Sequence, residues 1–123
     1  MEPSHYFLIG LALLIVALFV VKRLRQVSTG KARELLEAGA LVLDVRSSDE
    51  FATDHVPKAV NLPLEQVQRR IGDLAREYSQ PILVHCLSGT RSAMACRILR
   101  GLGYTEVHNL GSLGRARSLV GKR

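Results

Sequence analysis

The chain has 123 residues, 47% of them hydrophobic, six aromatic side chains, and a formal net charge of +6. Setting aside an apolar N-terminus leaves enough residues for one small domain with a modest core and too few for two. Two cysteines, Cys86 and Cys96, are too few for a disulfide framework and lack the paired spacing of a zinc site, so neither a metal nor a cofactor is expected. The excess charge lies at the ends, in Lys22, Arg23 and Arg25 and in Arg115, Arg117, Lys122 and Arg123. No basic stripe interleaved with aromatics is present in the sequence, and nucleic acid is not an expected partner.

From Pro3 to Val21 there is no charged residue, and Tyr6–Val21 is apolar apart from one phenol hydroxyl. A helix rises about 1.5 Å per residue and a bilayer core is about 30 Å thick, so this stretch just reaches across. A cleaved signal peptide would want a basic region before the apolar run and small residues after it, and this sequence has neither. Glu2 precedes the run whereas Lys22, Arg23 and Arg25 follow it, which predicts the N-terminus outside and the remainder in the cytoplasm. Residues 1–25 are thus expected to form an anchor and basic juxtamembrane segment, with residues 6–21 in lipid and Tyr6 at the outer interface; a bacterial inner membrane is the expected setting. A cytoplasmic domain, residues 26–123, would keep its thiols reduced.

Val27 to Gly39 carries a helix signature, with Ser28 or Thr29 as cap, Ala32, Leu35, Leu36 and Ala40 on one face, and Gly39 as the stop. Leu41–Val45 reads as a buried strand. Ser47 and Glu50 match a capping box that opens a short helix ended by His55-Val56-Pro57. Ala59–Leu62 is a short strand candidate. Pro63 leads into a helix over Leu64–Tyr78, with Val67, Ile71, Leu74 and Tyr78 on one side. Pro81–Val84 reads as a strand, Ser92–Leu102 as a helix, Thr105–Leu110 as a last strand, and Gly111–Arg123 as a short helix that frays. Short strands alternating with helices predict an α/β domain on a mainly parallel sheet, whose ligands bind at the carboxyl ends of the strands.

The segment His85-Cys86-Leu87-Ser88-Gly89-Thr90-Arg91-Ser92 lies at one such end, between a strand and a helix. A helix N-terminus offers unpaired N–H groups and a positive dipole end, which favour a thiolate and any anion approaching it. Gly89 lets the chain curl into an inward-facing ring of N–H groups. Cys86 is the expected nucleophile, with Leu87, Ser88, Gly89, Thr90 and Arg91 forming the substrate cradle and the Arg91 guanidinium meeting an oxyanion. Cys phosphatase signatures also begin His-Cys and end Arg-Ser, but they place five residues between cysteine and arginine where this chain has four. The smaller ring suits a single sulfur atom better than a tetrahedral phosphate. Cys96, beside Leu99, is expected to be packing, and His85, pointing away from Cys86 by strand alternation, a core histidine.

Three segments together resemble the rhodanese domain: Leu43-Asp44-Val45-Arg46 followed by Glu50-Phe51 and His55–Pro63; Ile82–Cys86 with Gly89 and Arg91; and Gly103-Tyr104 leading to Val107–Gly111. The resemblance covers about Val27 to Leu119. It implies a five-stranded α/β sheet flanked by helices, a cysteine that carries a persulfide, and sulfur transfer from a small anionic donor such as thiosulfate to a thiol or protein acceptor. Asp44 and Arg46 would support the site, either as a structural pair at the strand end or as part of the pocket. A non-catalytic rhodanese-like module docking a partner at the membrane is the alternative, and a cysteine phosphatase a second. The chain departs from the family pattern at Asp54 and Lys58, where Gly is common, and in having Gly111-Ser112-Leu113 and no Trp where a Gly-Gly pair and a tryptophan often close the domain.

Overall fold

The computed structural model describes residues 2–121; Lys122 and Arg123, the end of the predicted fraying tail, lie outside the described residues, as do the side chains of Arg23 and Leu24. An apolar helix, α1 (Pro3–Arg25), precedes α2 (Thr29–Glu37), β1 (Leu41–Asp44), α3 (Ser48–Thr53) and β2 (Val60–Asn61). A 3-10 turn over Leu64–Gln66 then runs into α4 (Val67–Leu74), β3 (Ile82–His85), α5 (Thr90–Gly101), β4 (Val107–Gly111) and α6 (Leu113–Val120). The strands form one parallel sheet in the order β2-β1-β3-β4.

Four strands, not the five implied by the family resemblance, make up this sheet. Outside β4, Val27 donates one backbone hydrogen bond to Asn109 O (2.9 Å) and the chain turns straight into α2, so no ladder develops on that edge. The residues themselves had pointed to four strands.

Strand alternation divides the core. Leu43, Val45, Ile82 and Val84 face Val67 and Ile71 of α4 and Ala95 and Leu99 of α5. Val42, Leu83 and Leu110 face Ala32 and Leu35 of α2 and Ala116 of α6. Fully burying a side chain such as Leu99 contributes roughly 1.5–3 kcal/mol, so each helix is held chiefly by one apolar stripe. The caps were legible in the sequence: Ser28 Oγ accepts from Lys31 N, and Ser47 and Glu50 form the reciprocal capping box.

Most element ends fall within two residues of the sequence reading, and one helix is clearly shorter. The helix predicted to reach Tyr78 ends at Leu74 because Ala75 turns extended (φ −131°), and Tyr78 meets the Tyr104 ring edge-on from the following turn, centroids 5.1 Å apart. The tail, read as a short helix, is the helix α6, capped by Ser112 and buried at Ala116 against the α2 side of the sheet.

Helix α1 has 23 residues, and its Pro3–Lys22 stretch is long and apolar enough to cross a membrane. That stretch is not buried against the domain, and a signal sequence would meet the same description.

Candidate active site

Cys86 leaves β3 on the α4/α5 side of the sheet and closes the strand through its N–H, which donates to Gly111 O (3.1 Å). The loop that follows is held against the end of β4. Ser88 bridges Ser112, and Leu113 N donates to Leu87 O (3.1 Å). The turn back into α5 is made at Gly89, with φ +102°, a conformation that L side chains rarely adopt.

The Cys86 thiol is buried, 1% exposed, at the floor of this loop. Gly89 N donates to its Sγ at 3.0 Å and Ser92 N at 3.4 Å, so the first turn of α5 directs unpaired donors at sulfur, as predicted for a helix N-terminus. The thiol in turn lies 3.6 Å from Ser92 Oγ and donates to it. Burial pushes the Cys86 pKa up, but the Ser92 hydroxyl and the N–H groups of Ser92, Gly89 and Ser88 pull it down by more, and the net direction is down. Cys96 shows the opposite balance: buried on α5 without such donors, it is pushed up to about 11. It is the packing residue that its position beside Leu99 predicted.

Two residues missed in the sequence complete the sulfur environment. Ser92 Oγ donates to Asn109 Oδ1 at 2.7 Å, and Gly89 O lies 3.0 Å away as a second acceptor. Asn109 Oδ1 also takes the Gly111 N–H (2.8 Å), and its amide donates to Gly89 O (3.5 Å). A register shift in the β3–β4 pairing makes this possible: Val84 pairs with Asn109 but His85 with Gly111, so Leu110 is extra and β4 turns toward the loop. When the thiol ionises, the Ser92 hydroxyl proton can turn from Asn109 to Sγ, while Asn109 Oδ1 keeps Gly111 as donor. Ser92 could have been found from its place in the first turn of the helix; Asn109 lies in the family-like run Val107–Gly111, but nothing there singled out its side chain.

Arg91 differs most from expectation. Its guanidinium makes a two-pronged ion pair with Glu50, Nη1 to Oε1 at 2.7 Å and Nη2 to Oε2 at 3.0 Å. The Arg91 bond, helped by the Ser47 N–H of the capping box, lowers the Glu50 pKa to about 2, and Glu50 raises that of Arg91. Glu50 is thus both a helix cap and the tie between α3 and the loop. The groups facing sulfur are therefore backbone N–H groups and one hydroxyl. Leu87, Ser88 and Thr90 are exposed around the mouth, and Gly89 is buried.

Asp44 and Arg46 lie on the other face of the sheet from Cys86. Asp44 accepts from Arg46 N (2.9 Å), from Nε and from Nη2 (2.8 Å), and Arg46 Nη2 reaches Asp54 O at 2.7 Å. Both are buried, so the pair is the structural anchor of the strand end rather than a lining of the Cys86 loop. His85 shares that face. Its Nδ1 is 3.4 Å from Cys86 O, its Nε2 has no hydrogen-bond partner, and burial lowers its pKa despite the Asp44 carboxylate 3.9 Å away. His85 is the core histidine that strand alternation predicted.

Known proteins match this arrangement. Residues 28–113 match the rhodanese-like domain family. The chain is 37% identical over 71 residues to thiosulfate sulfurtransferase PspE of Escherichia coli (strain K12), covering 58% of this chain and 68% of that protein. It is 31% identical over 88 residues to thiosulfate sulfurtransferase GlpE of Pseudomonas syringae pv. syringae (strain B728a), covering 70% and 79%. A solved structure described as rhodanese with anions from E. coli superposes with a TM-score of 0.61 at 34% identity, over 63% of this chain and 91% of that one. With its parallel sheet and its cysteine at the floor of a strand-to-helix loop, the chain belongs to the rhodanese-like domain family and is a sulfurtransferase-like enzyme.

Proposed function

We propose that Cys86 carries sulfur as a persulfide between a small anionic donor and a thiol acceptor. The Cys86 thiolate attacks the outer sulfur of thiosulfate; the new S–S bond takes the place of the bond to the sulfonate sulfur, and sulfite leaves with its electron pair. The terminal, negatively charged sulfur then sits within the N–H groups of Leu87 to Arg91, which stabilise the charge without reorganising. An acceptor thiolate attacks that terminal sulfur, forms its own persulfide and returns Cys86 as thiolate. The observation that carries this reading is the Cys86 Sγ at the N-terminus of α5 with the Gly89 and Ser92 N–H groups directed at it.

The same reading divides the chain into an anchor over residues 1–25 and the sulfurtransferase domain over residues 26–123, the domain on the cytoplasmic side. The exposed apolar face of α1 and the basic residues after it support this. Thiocyanate formation from thiosulfate and cyanide tests the chemistry. Activity is expected from the full chain and from Cys96→Ser, and none from Cys86→Ser. Release of phosphate from aryl phosphates without thiocyanate would favour the phosphatase alternative, and neither activity, with partner binding retained in Cys86→Ser, would favour a docking module.

A further inference from the structure

The cations of this chain are distributed unevenly. From Tyr78 to Thr105 there is no acidic residue, and after Glu77 the sequence holds one, Glu106, against seven Arg and Lys. Of the arginines in α5, Arg91 is taken by Glu50, while Arg97 and Arg100 are exposed on its outer side with Met94, Arg100 also donating through Nη2 to Val107 O at 2.8 Å. Arg97 and Arg100 border, with Arg25 at the end of α1, a depression of about 390 Å³ beside Cys96 and Asn109. A second depression joins Leu18, Val21 and Lys22 of α1 to Gly89 and Thr90 of the Cys86 loop. Among the described residues, none of Lys22, Arg25, Arg97 and Arg100 has a carboxylate within ion-pair distance.

The placement of this face relative to α1 is constrained by the backbone. Only Gln26 separates the end of α1 from Val27, which is pinned to β4 by its bond to Asn109 O and by the Arg115 guanidinium on its carbonyl. Lys22 Cε lies 3.6 Å from where a Cβ on Gly89 would stand. The Cys86 loop and the start of α5 are therefore held at the end of the apolar helix. If α1 spans a bilayer, its last turn marks the headgroup layer, and Arg97 and Arg100 flank that turn.

We infer that the face formed by Lys22, Arg25, Arg97 and Arg100 docks on the anionic lipid headgroups of the leaflet where α1 ends, holding the Cys86 loop at the membrane surface. The inference rests on the anchor reading above. Charge complementarity supports lipid phosphate as the occupant, since juxtamembrane Lys and Arg are drawn to anionic leaflets and this face carries no acidic residue to oppose them. Exposed Met94 and Leu87, each about half accessible, add apolar contacts suited to the interface.

The chain has no tryptophan, so Met94→Trp provides a single reporter on α5. The full-length variant is reconstituted into phosphatidylcholine vesicles with or without phosphatidylglycerol, each carrying a lipid quencher near the headgroups. Quenching at least about twofold stronger with phosphatidylglycerol is expected, reduced by high salt and by the added pair Arg97→Glu and Arg100→Glu. Equal quenching on both lipids, or quenching indifferent to charge reversal, overturns the inference. So does a response to free inorganic phosphate on phosphatidylcholine alone, which would make the face a soluble-anion site. Loss of transfer to a protein acceptor on charge reversal, with quenching flat on both lipids, would assign the face to a protein and likewise overturns it. Flotation with the vesicles is scored separately: failure to float refutes the anchor reading, whereas flotation without lipid-dependent quenching refutes the docking alone. Thiocyanate formation in detergent by each variant confirms that it is folded.

Discussion

Replacing Ser92 with alanine removes the one side-chain hydroxyl that meets the Cys86 sulfur, while sparing the backbone donors from Gly89 and Ser92. A hydrogen bond to a charged group contributes roughly 1.5–3 kcal/mol, and at 3.6 Å this one belongs at or below the lower end. With about 1.4 kcal/mol per pH unit, the thiolate of Ser92→Ala should form about half to one unit higher than in the parent. Stability should fall by only about 1 kcal/mol, because Asn109 Oδ1 keeps the Gly111 N–H at 2.8 Å and is not left without a donor. Ultraviolet titration of the thiolate reads the shift without interference, since burial pushes Cys96 up to about 11 and it stays protonated through the neutral range. An unchanged or lower midpoint in Ser92→Ala would refute the claim that the hydroxyl stabilises the thiolate.

Glu50→Gln should release Arg91 beside the loop: a KM for thiosulfate about two- to fivefold lower at low salt, with a stability loss of about 1 kcal/mol or less for a partly exposed pair, both measurable by steady-state kinetics and denaturant titration. Asp44→Asn leaves the buried Arg46 guanidinium without its counter-charge and should destabilise the domain by about 3–5 kcal/mol in urea unfolding. Lys58 is the described non-glycine residue with positive φ (+72°), at a position where the sequence already departs from a common glycine, so Lys58→Gly should gain about 0.5–1 kcal/mol as a higher Tm. Burial holds His85 below 6.5, so as pH falls past about 6.5 the unfolded chain takes up a proton that the folded chain resists. Its contribution is complete above that pH and is lost progressively as the pH falls below it, and His85→Gln should show a flatter fall in Tm on that acid side.

The legible part of this protein was local. The capping box at Ser47 and Glu50, the cap at Ser28, the four strands in order and the strand-to-helix turn at Gly89 all rest on neighbours within a few residues of each other. What escaped depends on distant partners. Glu50 and Arg91 are 41 residues apart in sequence, so nothing local showed that the loop's one guanidinium is engaged by a carboxylate. Asn109 reaches the sulfur network only because the β3–β4 register shifts by one residue, and Tyr78 keeps its aromatic contact from a turn, where periodicity alone had extended the helix. The fifth strand came from family likeness rather than from residues, and at the edge of β4 a single bond from Val27 takes its place.

The most direct test of the account is the mass of the purified full-length protein in detergent after incubation with thiosulfate and again after cyanide, followed by peptide mapping. The account predicts a gain of one sulfur atom on the peptide containing Cys86, its loss on cyanide with thiocyanate released, and no gain in Cys86→Ser. A sulfur gained on Cys96 instead, or no gain on a folded protein, would contradict it.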